Sequence, residues 1–219
     1  MKKIFLLSAL ALGAMLADKA HATLFHGVEF PGGIDSFTDS VVSFDPVIKN
    51  GQPTSSYLNP DAAFGAPDYP EGSGIEYVSL GDGGSITLQF TNNSLTGSGD
   101  NRIDLWIFEI GPDVEDTYVG ISKDNQTWHS VGKVFGSTSG IDIDSYGFGV
   151  QDFFSYVRLT DDTNEGDQAG ATVGADIDAV GAITTAPAVN PVPVPSALLL
   201  FGSGLIGLMG KRRGKRKKI

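Results

Sequence analysis

The chain of 219 residues contains no cysteine. Disulfides, cysteine nucleophiles, cysteine–zinc sites and thioether haem attachment are therefore all excluded, and the fold has to rest on its core alone. Histidine is nearly absent too. Beyond residue 22 only His26 and His129 remain, too few for a histidine-rich transition-metal site. Basic residues are scarce wherever the ends are left out. Of 26 acidic and 15 basic residues, only Asp18 among the acids lies in the termini, against ten of the bases. The stretch between carries 25 acidic and 5 basic residues, a net charge of −20 that the whole-chain value of −11 conceals. Such a surface repels nucleic acid and anionic lipid, because phosphate binding needs cationic contacts. Sustained helical periodicity is also missing from this middle stretch.

The two ends hold the opposite composition. Lys2 and Lys3 precede an apolar run from Ile4 to Leu16, and Ala20-His21-Ala22 follows as a small-x-small exit. This is the pattern of a secretory signal peptide over residues 1–22, cleaved after Ala22 to leave Thr23 first. At the other end Pro191 to Pro195 reads P-V-P-V-P and closes a Pro-rich linker over 185–195. Residues 196–210 are apolar, and residues 211–219 hold seven Lys and Arg. Fifteen helical residues span roughly 22 Å, short of the roughly 30 Å hydrocarbon core, so the basic flank is needed to stop the segment and fix a cytoplasmic tail.

Between the ends, alternation with a period of two dominates. Ser85 to Thr91 places Ile86, Leu88 and Phe90 on one face. Arg102 to Ile110 is apolar on both faces, as a central strand should be. Thr117–Ser122 and Thr127–Val134 flank a turn at Lys123 to Gln126, and two late strands follow near Phe153–Thr160 and Ala175–Ile183. Residues 45–75 are broken by Asn50-Gly51 and repeated Pro and Gly, and form a long loop region in which Tyr57, Phe64 and Tyr69 either pin the loop to the sandwich or form a binding surface. Residues 23–184 are thus expected to form one all-β domain, an antiparallel β-sandwich of jelly-roll type.

The tripartite C-terminus, with Pro193-Val194-Pro195 before PSALLLFGSGLIGLMGKRR, resembles the PEP-CTERM sorting signal of Gram-negative bacteria. Val194 stands where that family usually has Glu. The resemblance implies an exosortase partner, anchorage in the inner membrane before processing, and delivery to the cell surface or extracellular matrix. Val119 to Trp128 (V-G-I-S-K-D-N-Q-T-W) and Tyr156-Val-Arg-Leu, together with the strand Ile177–Ile183, resemble discoidin-like, galactose-binding-type β-sandwiches over residues 75–184. Members of that family mostly bind sugars or cell surfaces, and many carry structural calcium. Fold alone does not fix function.

Carboxylates are the remaining chemistry. Asp161, Asp162, Glu165 and Asp167 crowd one loop, and Asp176 and Asp178 share a face of the strand that follows. Calcium takes such oxygen ligands, so Asp161, Asp162, Glu165, Asp167 and Asp176 form a candidate calcium set, the alternative being a solvated acidic turn. The loop is not an EF-hand. Counting from Asp161 puts Gly166 at position six, but Thr172 falls where a bidentate Glu is required. No G-x-S-x-G elbow occurs between the ends. Glu109, at the end of the central strand, suits either a buried acid or a solvated strand end. The expected function is a surface-sorted, non-catalytic module that binds or structures extracellular polysaccharide. A carbohydrate-active hydrolase and a purely structural matrix protein are the alternatives.

Overall fold

The computed structural model describes residues 22–70, 76–110, 115–165 and 169–189. Residues 1–21 of the expected signal peptide, the sorting motif Pro193-Val194-Pro195, the apolar segment and the basic tail lie outside these residues. Among the described residues every regular element is a β-strand or a single 3-10 turn.

Two antiparallel sheets face each other. The larger has the order β3-β5-β11-β8-β9, formed by Ser40–Asp45, Ser85–Gln89, Tyr156–Asp161, Thr117–Ser122 and Trp128–Val134. The smaller has the order β10-β7-β12-β4, formed by Thr138–Ile141, Leu105–Glu109, Asp176–Ala182 and Val78–Ser79. Their inner faces supply one core. Ile86, Leu88, Val119, Ile121, Val157 and Leu159 meet Val78, Leu105, Ile107, Ile177 and Val180 there, all essentially inaccessible. This is the sandwich that the alternation implies, since a half-apolar strand is stable only when its apolar face is covered.

The smaller sheet is covered on its outer face as well. A hairpin of β1 (Thr23–Phe25) and β2 (Val28–Phe30) leads into a 3-10 turn at Gly33–Ser36. Phe25, Phe30 and Phe37 pack there on Phe108, Ala179 and Trp106. The Phe30 and Phe37 rings are 4.6 Å apart, and Phe37 lies 6.0 Å from Phe108. Burial on both sides is why β7 reads as apolar on both faces from Leu105 to Phe108. Phe37 also bridges Gly181 of β12, where a Cβ would lie 2.7–2.9 Å from the Phe30 and Phe37 rings. Only glycine lets the two rings seat on the strand.

The turn after β8 places Asn125 at φ +59°, a left-handed conformation that Asn tolerates. Between residues 45 and 70 the chain makes only 3-10 turns at Ser55–Tyr57 and Pro60–Ala63. Tyr57 stacks on Tyr77 at 5.3 Å and Tyr69 meets the same ring edge-on, so two of the three loop aromatics pin the loop. Phe64 stays partly exposed. The segment read as linker from residue 185 begins instead as a strand. β13 (Thr185–Pro187) pairs with β6 (Asn93–Leu95), and Pro187 sits at the strand end, where its missing N–H costs nothing.

Candidate functional site

The acidic loop after β11 acts as a set of clamps. Asp161 is buried, and each of its oxygens accepts one backbone N–H at 2.8 Å, from Gly83 and from Ala175. It thereby ties the turn before β5 to the start of β12. Burial raises its carboxyl and these two bonds oppose the rise. Asp162 accepts from Lys133 Nζ at 2.8 Å, from the Tyr118 hydroxyl, and from both nitrogens of Asn164. The Lys133 ammonium and these donors hold it well below the usual carboxylate range. Glu165 has an exposed side chain, and its N–H bonds Asp162 O. Asp176 is buried and accepts from the Ser79 hydroxyl; burial, with Glu115 and Asp161 nearby, pushes it up to about 7. Asp167 lies outside the described residues. The four described members of the candidate calcium set do not gather around one point.

A β-bulge between Ile177 and Ala179 explains where Asp178 goes. Ile177 and Val180 both face the inner core while Ala179 joins the outer one, so the strand changes parity at Asp178. The Asp178 carboxylate is buried, accepts from Asp68 N at 3.4 Å, and is raised to about 7 by burial. Glu109 is buried as well, not at a solvated strand end. Its Oε1 accepts from Glu115 N at 2.9 Å, and its Oε2 is enclosed without a hydrogen-bond partner. Burial and the neighbouring Glu115 and Asp176 charges lift it to about 9, which keeps it a neutral acid at pH 7. It lines a hollow of about 260 Å³ with His26, Tyr69, Ser137 and Thr138.

A second hollow, of about 280 Å³, lies on the outer face of the larger sheet. Here β8, β9 and β11 present their outward positions side by side. Arg158 is opposite Gly120, and Gly120 is opposite Ser130. The Arg158 guanidinium sits 4.0 Å from the centre of the Trp128 ring, and its Nε donates to Thr87 Oγ1 at 3.1 Å. That bond fixes the guanidinium plane against the indole. The indole lies over Gly120, where a Cβ would meet Trp128 Cε3 at an ordinary contact distance of 3.5 Å. The hydroxyl-bearing Tyr118, Ser130 and Thr160 complete the rim, and Tyr118 is 46% exposed. In the sequence Trp128 and Arg158 stand out only as parts of the V-x-x-S-x-D-x-x-x-W and Y-V-R-L stretches. Their thirty-residue separation hides the pair.

Three further acids do converge: Asp104, Asp142 and Asp144. Sequence reasoning missed them because thirty-eight residues separate the first from the other two.

The fold is thus an acidic β-sandwich. Residues 191–213 match the PEP-CTERM protein-sorting motif. This motif is recognised by exosortase, and it marks the chain as exported, membrane-anchored before processing and destined for the cell surface. No curated protein matches the chain. Among solved structures, the C-terminal domain of a chitobiase from Bacteroides fragilis is similar at 12% identity and a TM-score of 0.37, covering 69% of this chain and 95% of that one.

Proposed function

We propose that the surface-delivered sandwich is a non-catalytic module that binds extracellular polysaccharide through the Trp128–Arg158 face. The observation that carries this reading is the fixed indole–guanidinium stack in an open hollow rimmed by hydroxyls. Pyranose rings offer C–H faces to an aromatic surface and hydroxyls to planar donors, and a locked Trp–Arg pair presents both at little entropic cost. The net charge of −20 between the ends favours neutral over anionic glycans.

Affinity electrophoresis of the purified chain through gels containing neutral or acidic polysaccharides tests the proposal. Retardation by a neutral glycan, lost in Trp128→Ala and Arg158→Ala with the melting temperature largely kept, is the expected result. Equal mobility of the three proteins in every gel rejects it. The neutral Glu109 acid in its hollow is the observation favouring a hydrolase. Release of reducing ends that disappears in Glu109→Gln would select that reading instead.

A further inference from the structure

The geometry points to a calcium site, formed by Asp104, Asp142 and Asp144, that ties the loop before β7 to the 3-10 turn at Ile143–Tyr146. Each of the three carboxylates offers an oxygen, and the three oxygens lie within 4.8 Å of one another. Two ligands on opposite sides of a calcium ion, each at 2.3–2.6 Å, are separated by at most about 5 Å, so this spacing suits a shared cation.

The second observation is Asp104 itself. It is fully inaccessible, and Ile143 N donates to its Oδ2 at 3.0 Å. Its Oδ1 is enclosed and accepts no well-formed hydrogen bond, although the Ser98 and Thr184 hydroxyls lie near enough to favour the charged carboxylate. A buried oxygen left in that state is costly unless something else takes it up.

The other two acids are held in place by the backbone around them. Asp142 caps the 3-10 turn, accepting from Asp144 N at 3.0 Å and from the Ser145 hydroxyl at 2.7 Å. Asp144 accepts from Gly99 N at 3.0 Å and from the Ser98 hydroxyl at 3.3 Å. Gly97 is required beside it, because a Cβ there would fall 2.7 Å from Asp144 Oδ2 and 2.3 Å from Phe148 O. Among the described residues no lysine or arginine forms an ion pair with any of the three. The nearby Arg102 is spent on Asp100. Three carboxylates whose hydrogen bonds come from hydroxyls and backbone amides make an all-oxygen donor set, which selects a hard divalent cation. Ligands drawn from two irregular loops, with hydroxyls close by, fit the variable coordination of calcium better than the strict octahedron of magnesium.

The test uses the full chain in detergent, stripped by chelator and returned to calcium or to sodium at matched ionic strength. Millimolar calcium is expected to raise the melting temperature by several degrees more than sodium. Terbium luminescence sensitised by Tyr146, two residues from Asp144 in the same turn, is expected to saturate and to be displaced by calcium. Both effects should vanish in Asp104→Asn and Asp144→Asn and persist in Asp161→Asn. Persistence in both of the first two variants, or loss confined to Asp161→Asn, overturns the assignment and moves the ion to the loop after β11. Should Asp104→Asn fail to fold, Asp144→Asn, which alters a half-buried carboxylate, decides. Identical behaviour in calcium and sodium for the unaltered chain overturns the site without either variant.

Discussion

Raising the pH from 5 to 8 should weaken this protein, and Glu109 is the largest single contributor. Its carboxyl is lifted to about 9 by burial and by the Glu115 and Asp176 charges, whereas the same group in the unfolded chain titrates near its ordinary 4.5. The contribution is fully present below pH 4.5. Above it the unfolded chain sheds the proton and the folded chain keeps it, so stability falls with rising pH until about 9. Each pH unit within that window is worth about 1.4 kcal/mol per proton, so three units cost at most about 4 kcal/mol through Glu109. Asp176 and Asp178, lifted to about 7, act in the same direction but finish by neutral pH. For a domain of this size about 4 kcal/mol corresponds to roughly 8–16 °C in Tm. Calorimetry at fixed ionic strength with chelator present is the assay. Glu109→Gln, a neutral near-isostere, should match the unaltered chain near pH 5 and melt above it at pH 8. A Tm that is flat between the two pH values, or a variant whose pH slope equals that of the parent, refutes the buried-acid account.

Glycine positions make a matched pair of tests. Gly181→Ala drives a methyl into Phe30 and Phe37 and should cost about 1–3 kcal/mol, whereas Gly120→Ala meets Trp128 at ordinary contact distance and should leave the Tm nearly unchanged. Equal melting of the two variants would mean that the aromatic layer does not seat on β12. At the ends, N-terminal sequencing of the exported chain should begin at Thr23. Removal of residues 211–219 should abolish membrane retention, read by fractionation, since fifteen apolar residues stop poorly without a basic flank.

The sandwich was readable where one face of a strand meets one core. Ile86, Leu88 and Phe90 alternate because β5 has a single apolar side, and Asn125 marks the hairpin turn because few other residues accept its φ. Strand β3 was not readable. A register shift between Val41 and Ser43 breaks its alternation, so Ser40 to Asp45 shows no period of two. The β1–β2 hairpin has strands of three residues, too short to carry a period at all. The same limit applies to chemistry. Crowding in the chain drew attention to Asp161, Asp162 and Glu165, yet the first two are occupied by neighbouring donors. The Asp104–Asp142–Asp144 group and the Trp128–Arg158 stack are assembled by sheet pairing, and local spacing holds no record of either.

The bridge between Phe37 and Gly181 joins residues 144 positions apart. The segment from Thr23 to Phe37 therefore completes its seat only when β12, near the end of the folded region, has been made. A contact of that sequence separation forms slowly, because the loop entropy must be overcome before the aromatic layer is gained. Until then Phe25, Phe30 and Phe37 have only Trp106 and Phe108 of β7 to pack on, and the layer lacks Ala179 and Gly181 of β12. A polypeptide that must thread a membrane in extended form gains from such an order of events, since the topology itself postpones compaction until passage is nearly complete.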